Sequence, residues 1–485
     1  MILKSENILM PKPFYITTTL PYVNAPLHLG HALEFVRADA IARYKKLAGF
    51  DVYFNTGTDE HGKKNYDKAL EKGLSPQEFV DQGFATFQDQ LKMFGVSADI
   101  HFVRTTDAHH KLAAQEFWRR VRDNGYIYKK NYQAKYCVGC ESEKTDSELN
   151  DQGECLLHPG RPLELIDEEN YFFKYSAFGD KLLKFYGEHP NFVVPDWRLN
   201  EIKNFVTGGL QDFSISRLKA KMPWGIAVPD DPDHVMYVWF DALVDYISTL
   251  GWPDSLENFE KYWVDGTPTQ YCGKDNNRFQ SAMWQAMLLA AGLPNSHQII
   301  VNGFITGEGG VRMSKTLGNV IDPRDIAKEY GTDALRYFLL REVNSFEDSP
   351  FTIERFKETY NAGLANGVGN LTNRIMKMAE TNLDGPVGVD SVGYRFPDYV
   401  NELMDQFRID LAMNYVWAKI AELDREIQEK KPWESKDKEV IKNLALNLYR
   451  IGCLLKPFMP ETAEKIIEAT RNNKMPEVPL FLRKD

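Results

Sequence analysis

The sequence predicts an α/β protein in which two stretches of alternating strand and helix are separated by a turn-rich insert and followed by an all-helical C-terminal part. Three observations carry that prediction. "FYITTTL" (14–20), "HALEFVRADAIARYKKLAG" (31–49) and "DVYFNTG" (51–57) read as strand, helix and strand, a βαβ unit. From about Tyr128 to Glu168 the texture turns short and polar and gathers three cysteines, before alternation returns from about Val235 to Leu340. After "SPFTIERFKETYN" the chain reads as amphipathic helices joined by short loops.

In the first unit Leu33, Val36, Ala40, Tyr44 and Leu47 fall on one helical face before Gly49. Ser75 before Pro76 opens the next long helix, "SPQEFVDQGFATFQDQLKMFG", as an N-cap with proline at the first helical position. The second half carries "VMYVWFDALVDYIS", "PTQYCGKDNNRFQSAMWQAMLLAAG" and "QIIVNGFITGEGGVRMSKTLGN". Near the C-terminus, "LNLYRIGCLLKPFMPETAEKI" (446–466) reads as a buried helix ending before Pro457. The expected order is a first α/β half over 1–127, an insert over 128–232, a second half over 233–345 and a helical bundle over 346–485, with no internal repeat.

The 485 residues are 43% hydrophobic and 26% charged, the composition of folded protein. A net charge of −11 argues against sequence-independent nucleic-acid binding, which needs many Lys and Arg contacts to phosphates, but leaves room for a local basic or aromatic surface. No apolar run approaches the roughly 20 residues of a membrane helix. "MILKSENILMPKPF" lacks the apolar core of a signal peptide, so a cytoplasmic protein is expected. Five cysteines, three of them within 137–155, do not suggest a disulfide framework.

In "NAPLHLGHALEF" (24–35), His28 and His31 flank Gly30 where a strand pattern gives way to a helix. A helix N-terminus offers unpaired N–H groups and positive dipole to an anion, and two imidazoles add donors for phosphate oxygens. Gly30 leaves space for a flat ring or the backbone. The pattern points to a nucleoside triphosphate site without a Gly-rich phosphate loop, although an isolated pair could be an ordinary polar cap. Far along the chain, "TGEGGVRMSKT" supplies Lys315, a mobile point charge suited to phosphates in transfer, and Ser314, a hydroxyl donor. Within the insert, Cys137 and Cys140 are followed by Cys155 and His158. Three thiolates and an imidazole complete the closed tetrahedral shell of a structural Zn²⁺ site, whereas a redox CxxC pair would need neither Cys155 nor His158. Cys272 and Cys453 lie in apolar sequence and read as inert core residues.

The "HLGH" and "RMSKTLGN" stretches, in this order and flanking two α/β halves, resemble the two signatures of the class I aminoacyl-tRNA synthetases. From about Phe14 to Glu468 the chain resembles the bacterial methionyl-tRNA synthetases. "TLPYVNAPLHLGH", "GTDEHG", the cysteine insert, "LQDFSISR", "YVWFDALVDY", "GKD", "GVGNLTNR", "KPWE" and "LKPFMPETA" carry the likeness. It implies a Rossmann-like catalytic domain, an inserted connective domain with one zinc knuckle, and a C-terminal α-helical anticodon-binding domain. It also implies ATP, with Mg²⁺, L-methionine and tRNA(Met) as partners.

By that resemblance Leu20, Tyr22, Trp239, Ala242 and Tyr246 would wall the methionine side chain, and Asp59 would meet its ammonium group. A thioether favours aromatic edges, and a buried ammonium needs a carboxylate. Gly273 and Asp275 would face the ATP ribose, His28, Gly30, His31, Ser314 and Lys315 the phosphates, and Arg217 would stand near the active site. His28, His31 and Lys315 would carry the catalysis. At Gln280 the family usually has a histidine lining the pocket, and "HGKKN" (61–65) is also unusual. Asn370, Arg374 and Trp433 match the residues with which the family reads the CAU anticodon, although bundles bury most of their tryptophans. The chain stops at Asp485 without the OB-fold domain many relatives append, so a monomer is expected. A synthetase for leucine or valine would share both signatures but carry a large editing insert. A regulatory paralogue that charges no tRNA would not need the intact HLGH and MSK residues.

Overall fold

The computed structural model describes residues 11–140, 142–144, 146–311, 313, 321–389 and 394–484. Its centre is a six-stranded sheet, all of whose pairings are parallel. The expected unit is β1 (Pro13–Thr18), α1 (Leu29–Leu47) and β2 (Asp51–Thr58), with β3 (His101–Arg104) outside it. The strand order is β3, β2, β1, Pro268–Gly273, Gln298–Asn302 and Val193–Val194. The two halves read from the sequence thus interleave in one sheet, with β1 beside Pro268–Gly273.

Helix α1 is central rather than amphipathic. Leu33, Val36, Ala40 and Tyr44 are buried as their spacing predicts, whereas Leu47, at the end of the helix, is 47% exposed. Glu34, Arg37 and Asp39 are buried as well. Arg37 donates to the carbonyls of Val343 and Asn344 at 2.8 Å and of Ser345 at 3.0 Å, and Asp39 pairs with buried Arg336 at 2.8 Å. Buried charges need such partners. The helix Pro76–Met93 starts with the expected Ser75 cap, and Glu78 closes a capping box on it.

The insert carries an antiparallel sheet ordered Ser142–Lys144, Ile127–Cys137, Glu164–Phe173 and Phe213–Ser214. One expectation needs correction. The interval 128–232 does not stay outside the parallel sheet: Val193–Val194 pairs with Ile299 and Ile300, and flanking helices bury Leu182, Tyr186, Leu199 and Ile202 in a core shared with that sheet. A strand of two residues, with little pattern of its own, is recruited by that apolar packing. In the C-terminal part, helices Asn370–Asn382, Ile409–Lys430, Lys438–Leu455 and Pro460–Asn472 share one continuous core with α1. The helix expected to end before Pro457 ends at Leu455, and Pro460 opens the next one. Cys272 and Cys453 are buried core residues.

Candidate active site

In an open parallel sheet a ligand binds beyond the carboxyl ends of the strands, where the strand order reverses direction. Here the chain moves from β1 to β2 on one side and from Pro268–Gly273 to Gln298–Asn302 on the other, so the crevice lies between β1 and Pro268–Gly273. A cavity of about 320 Å³ opens there, within the usual size of a small-molecule site. Its walls include strand ends: Leu20 and Tyr22 follow β1, Asp59 follows β2, Gly273 ends the strand Pro268–Gly273 and Asp275 follows it, and Asn302 ends the last long strand.

The two histidines are each other's cap. His28 precedes the first turn of α1, and its Nδ1 accepts from the backbone N–H of Gly30 at 3.1 Å and of His31 at 3.4 Å. His31 Nδ1 in turn accepts from His28 N–H at 3.3 Å, and the rings stack with centroids 3.8 Å apart. A capping box made of two imidazoles fixes their tautomer: each Nδ1 is an acceptor, so each neutral ring carries its proton on Nε2. Burial, and then the neighbouring His28 ring, holds the His31 pKa well below the usual histidine range. Gly30 gives this cap room, because a Cβ there would crowd the ring at 3.0 Å from His28 Cε1. Its space serves the histidine ring, a use the sequence reading did not assign.

At the other end of the cavity, Trp239 and Phe279 stack face to face, 3.9 Å apart and 3° from parallel. Ala242 and buried Tyr246 continue that wall. Gln280 is 2% exposed and donates to the Tyr246 hydroxyl at 2.5 Å while accepting from Gln270. A neutral amide therefore occupies the position where the resemblance led to the expectation of a histidine, and both of its ends are satisfied. Buried Asp59 stands opposite, its strand bridged to Tyr22. The unusual "HGKKN" stretch also acquires roles: Lys64 lies over the Tyr22 ring at 5.0 Å, and Asn65 donates to the carbonyls of Asp59 and His61 at 3.0 and 3.3 Å.

Gly273 keeps its Cα face open to the Asp275 carboxylate, whose Oδ1 would lie 2.8 Å from a Cβ placed there. Ser314 and Lys315 lie outside the described residues. The positions on either side of that segment, Met313 and Ile321, both line the cavity. Glu34 is a wall residue that sequence reasoning missed. It is buried and accepts from the backbone N–H and hydroxyl of Thr19 at 2.6 and 2.5 Å, and burial pushes its pKa up to about 8. The available signal was a carboxylate one turn beyond His31 inside an apolar helical run.

Arg217 does not line this cavity. It lies against a neighbouring one of about 130 Å³, between the Tyr136 and Tyr237 rings, and donates to Ser214 Oγ and the Ser216 carbonyl at 2.9 and 2.7 Å. Cys137, Cys140, Cys155 and His158 converge, their ligand atoms all within 4.8 Å of one another. His158 Nδ1 lies 3.7, 3.3 and 4.0 Å from the three sulfurs, and Cys140 Sγ lies 3.5 Å from Cys155 Sγ. Ligands about 2.0 to 2.3 Å from a central Zn²⁺ in a tetrahedron are separated by about 3.5 to 3.8 Å, so the group fits a metal ion such as zinc. In the helical part, Asn370 and Arg374 share a face of Asn370–Asn382, with Arg374 paired to Asp424. Trp433 stands on the separate short helix Pro432–Ser435, 44% exposed rather than buried in the bundle.

Comparison with known proteins agrees with this geometry. The family model described as tRNA synthetases class I (M) matches residues 14–376. The methionine–tRNA ligase of Caldanaerobacter subterraneus subsp. tengcongensis is 43% identical over 479 residues, covering 95% of this chain and 74% of that protein. That of Thermotoga maritima is 40% identical, covering 96% and 76%. The structure of Mycobacterium tuberculosis methionyl-tRNA synthetase in complex with methionyl-adenylate superposes with a TM-score of 0.88 at 36% identity, covering 97% of this chain and 100% of that one. On the sheet, the site and these likenesses together, the chain belongs to the methionine–tRNA ligases of the class I tRNA synthetases.

Proposed function

We propose that this chain activates L-methionine with ATP and transfers the methionyl group to the 3′ end of tRNA(Met), with both small substrates held in the cavity beside β1. In the first step a methionine carboxylate oxygen attacks the α-phosphorus of ATP. The bond to the bridging oxygen breaks, and pyrophosphate leaves. In the second, the terminal adenosine hydroxyl of the tRNA displaces AMP. The first nucleophile is already an anion, so the protein must supply position and charge stabilisation rather than a base.

The residues divide along the cavity. Asp59 meets the ammonium group, and Leu20, Tyr22, Trp239, Ala242, Tyr246 and Gln280 enclose the thioether. Gly273 and Asp275 take the ribose, since a carboxylate accepts from both hydroxyls. The Nε2–H donors of His28 and His31, the N-terminus of α1, Ser314 and Lys315 hold the phosphates, and Mg²⁺ enters with ATP. Zinc in the Cys137, Cys140, Cys155 and His158 group ties the insert together and takes no part in the chemistry. Asn370, Arg374 and Trp433 read the anticodon, a guanidinium and an exposed indole being suited to unstacked bases. The work is that of a monomer in the cytoplasm, and among the described residues no helix is long and apolar enough to cross a membrane.

The observation that supports this reading is that the described residues assigned to methionine and to ATP line one cavity. ATP–pyrophosphate exchange measured with each of the twenty amino acids tests it. Methionine should support exchange about a hundredfold better than leucine or valine. Preference for another apolar amino acid, or no exchange with any, would contradict it.

A further inference from the structure

His61 is not among the residues that line the cavity, yet it lies between two of the cavity's walls. It follows Asp59 by two residues, is 2% exposed, and its Nδ1 lies 3.0 Å from Oδ2 of Asp241. Asp241 is fully buried in the short helix Val238–Ala242, the helix that supplies Trp239 and Ala242 to the cavity. Burial alone would favour the neutral acid, but the His61 and His110 rings reverse this and hold Asp241 below the usual carboxylate range.

Among the described residues, His61 is the side chain within hydrogen-bonding distance of the Asp241 carboxylate. His110 Nε2 stands 3.8 Å from the other Asp241 oxygen, and neither of those atoms has a hydrogen-bond partner among the described residues. His110 Nδ1 faces Ser248 Oγ at 2.9 Å. Trp224 closes the opposite side, its indole donating to the Glu60 carbonyl at 2.7 Å and its ring 5.5 Å from that of His61. Asn65 anchors the same loop from below through the Asp59 and His61 carbonyls. A charge-assisted bond in such an enclosed place restricts geometry more than packing of apolar side chains would.

We propose that His61 and Asp241 form a positioning pair for methionine: their bond sets the distance between the Asp59 carboxylate, which meets the ammonium, and the Trp239 wall, which meets the side chain. This inference rests on the function proposed above. The two residues touch no substrate. They act by fixing the two groups that do, and a site loosened by about 1 Å loses most of the benefit of preorganisation.

The test compares His61→Ala with His61→Asn, in which an amide nitrogen takes the place of Nδ1, in ATP–pyrophosphate exchange. His61→Ala should raise KM for methionine about tenfold, the scale of one lost hydrogen bond, and leave KM for ATP within about twofold, while His61→Asn should stay within about threefold of wild type for both. Should His61→Ala fail to fold, Asp241→Asn, which keeps the shape and removes the charge, should show the same split between the two KM values. An unchanged methionine KM, an equal rise in both, or a His61→Asn variant as impaired as His61→Ala would overturn the pair. Wild-type exchange that ignores methionine would overturn the proposed function itself, and the pair with it.

Discussion

Glu34 shows how one residue's environment sets the charge it brings to the cavity wall. Burial dominates its shift and hydrogen bonds from Thr19 oppose it, leaving a carboxyl with a pKa of about 8 near Asp275. A folded-state pKa raised above the ordinary 4.5 means that the folded chain keeps a proton the unfolded chain releases. The stabilisation this gives is complete below 4.5 and is lost as pH rises through 8. At neutral pH the site therefore carries one negative charge fewer against incoming triphosphate. KM for ATP should rise severalfold as pH passes about 8, and Glu34→Gln should flatten that rise without raising KM at pH 7. An identical pH profile in the variant would show that Glu34 does not titrate against the nucleotide. His31 is held neutral by the same kind of burial. The sequence announced His31 through its spacing from His28, whereas the signal for Glu34, a carboxylate one turn beyond His31 in an apolar helical run, reads as an ordinary exposed position until α1 proves to be buried nearly all round.

At the scale of elements, the cysteine insert was readable because metal ligation demands particular residue types at particular spacings. Cys137, Cys140, Cys155 and His158 come together as that spacing implies. Gly139 explains part of the spacing, since a Cβ there would lie 2.5 Å from the His158 ring. Metal analysis should find one zinc per chain, and Cys137→Ser should lose the metal and lower the thermal midpoint of unfolding, because binding energy at a closed site is folding energy. A zinc-free protein of full stability and activity would contradict the assignment. The short strand Val193–Val194 was not readable, because two residues carry no periodicity and only long-range packing recruits them to the sheet. Helix α1 begins two residues earlier than its apolar pattern suggests, since its cap is made by the imidazole of His28 rather than by a Ser, Thr, Asp or Asn.

The whole molecule brings together segments hundreds of residues apart. Arg336 pairs with Asp39 of α1 and donates to the carbonyls of Gly95, Pro457 and Phe458 at 3.1, 3.2 and 2.7 Å, so the catalytic helix, its neighbour and the helical part meet at one buried guanidinium. Nothing in the local sequence marks Arg336 for that place; its partners are chosen by the tertiary fold. The proposed catalysis needs a similar convergence, in which the His28 and His31 imidazoles and the Lys315 ammonium grip one triphosphate. Met313 and Ile321, on either side of the segment that holds Lys315, already line the cavity with both histidines. The most direct test is the rapid-quench rate of methionyl-adenylate formation by Lys315→Ala at saturating methionine and ATP. The rate should fall by roughly 10² to 10³, the scale of one preorganised charge lost from a transition state, with methionine affinity unchanged. A variant that forms adenylate as fast as wild type would contradict it.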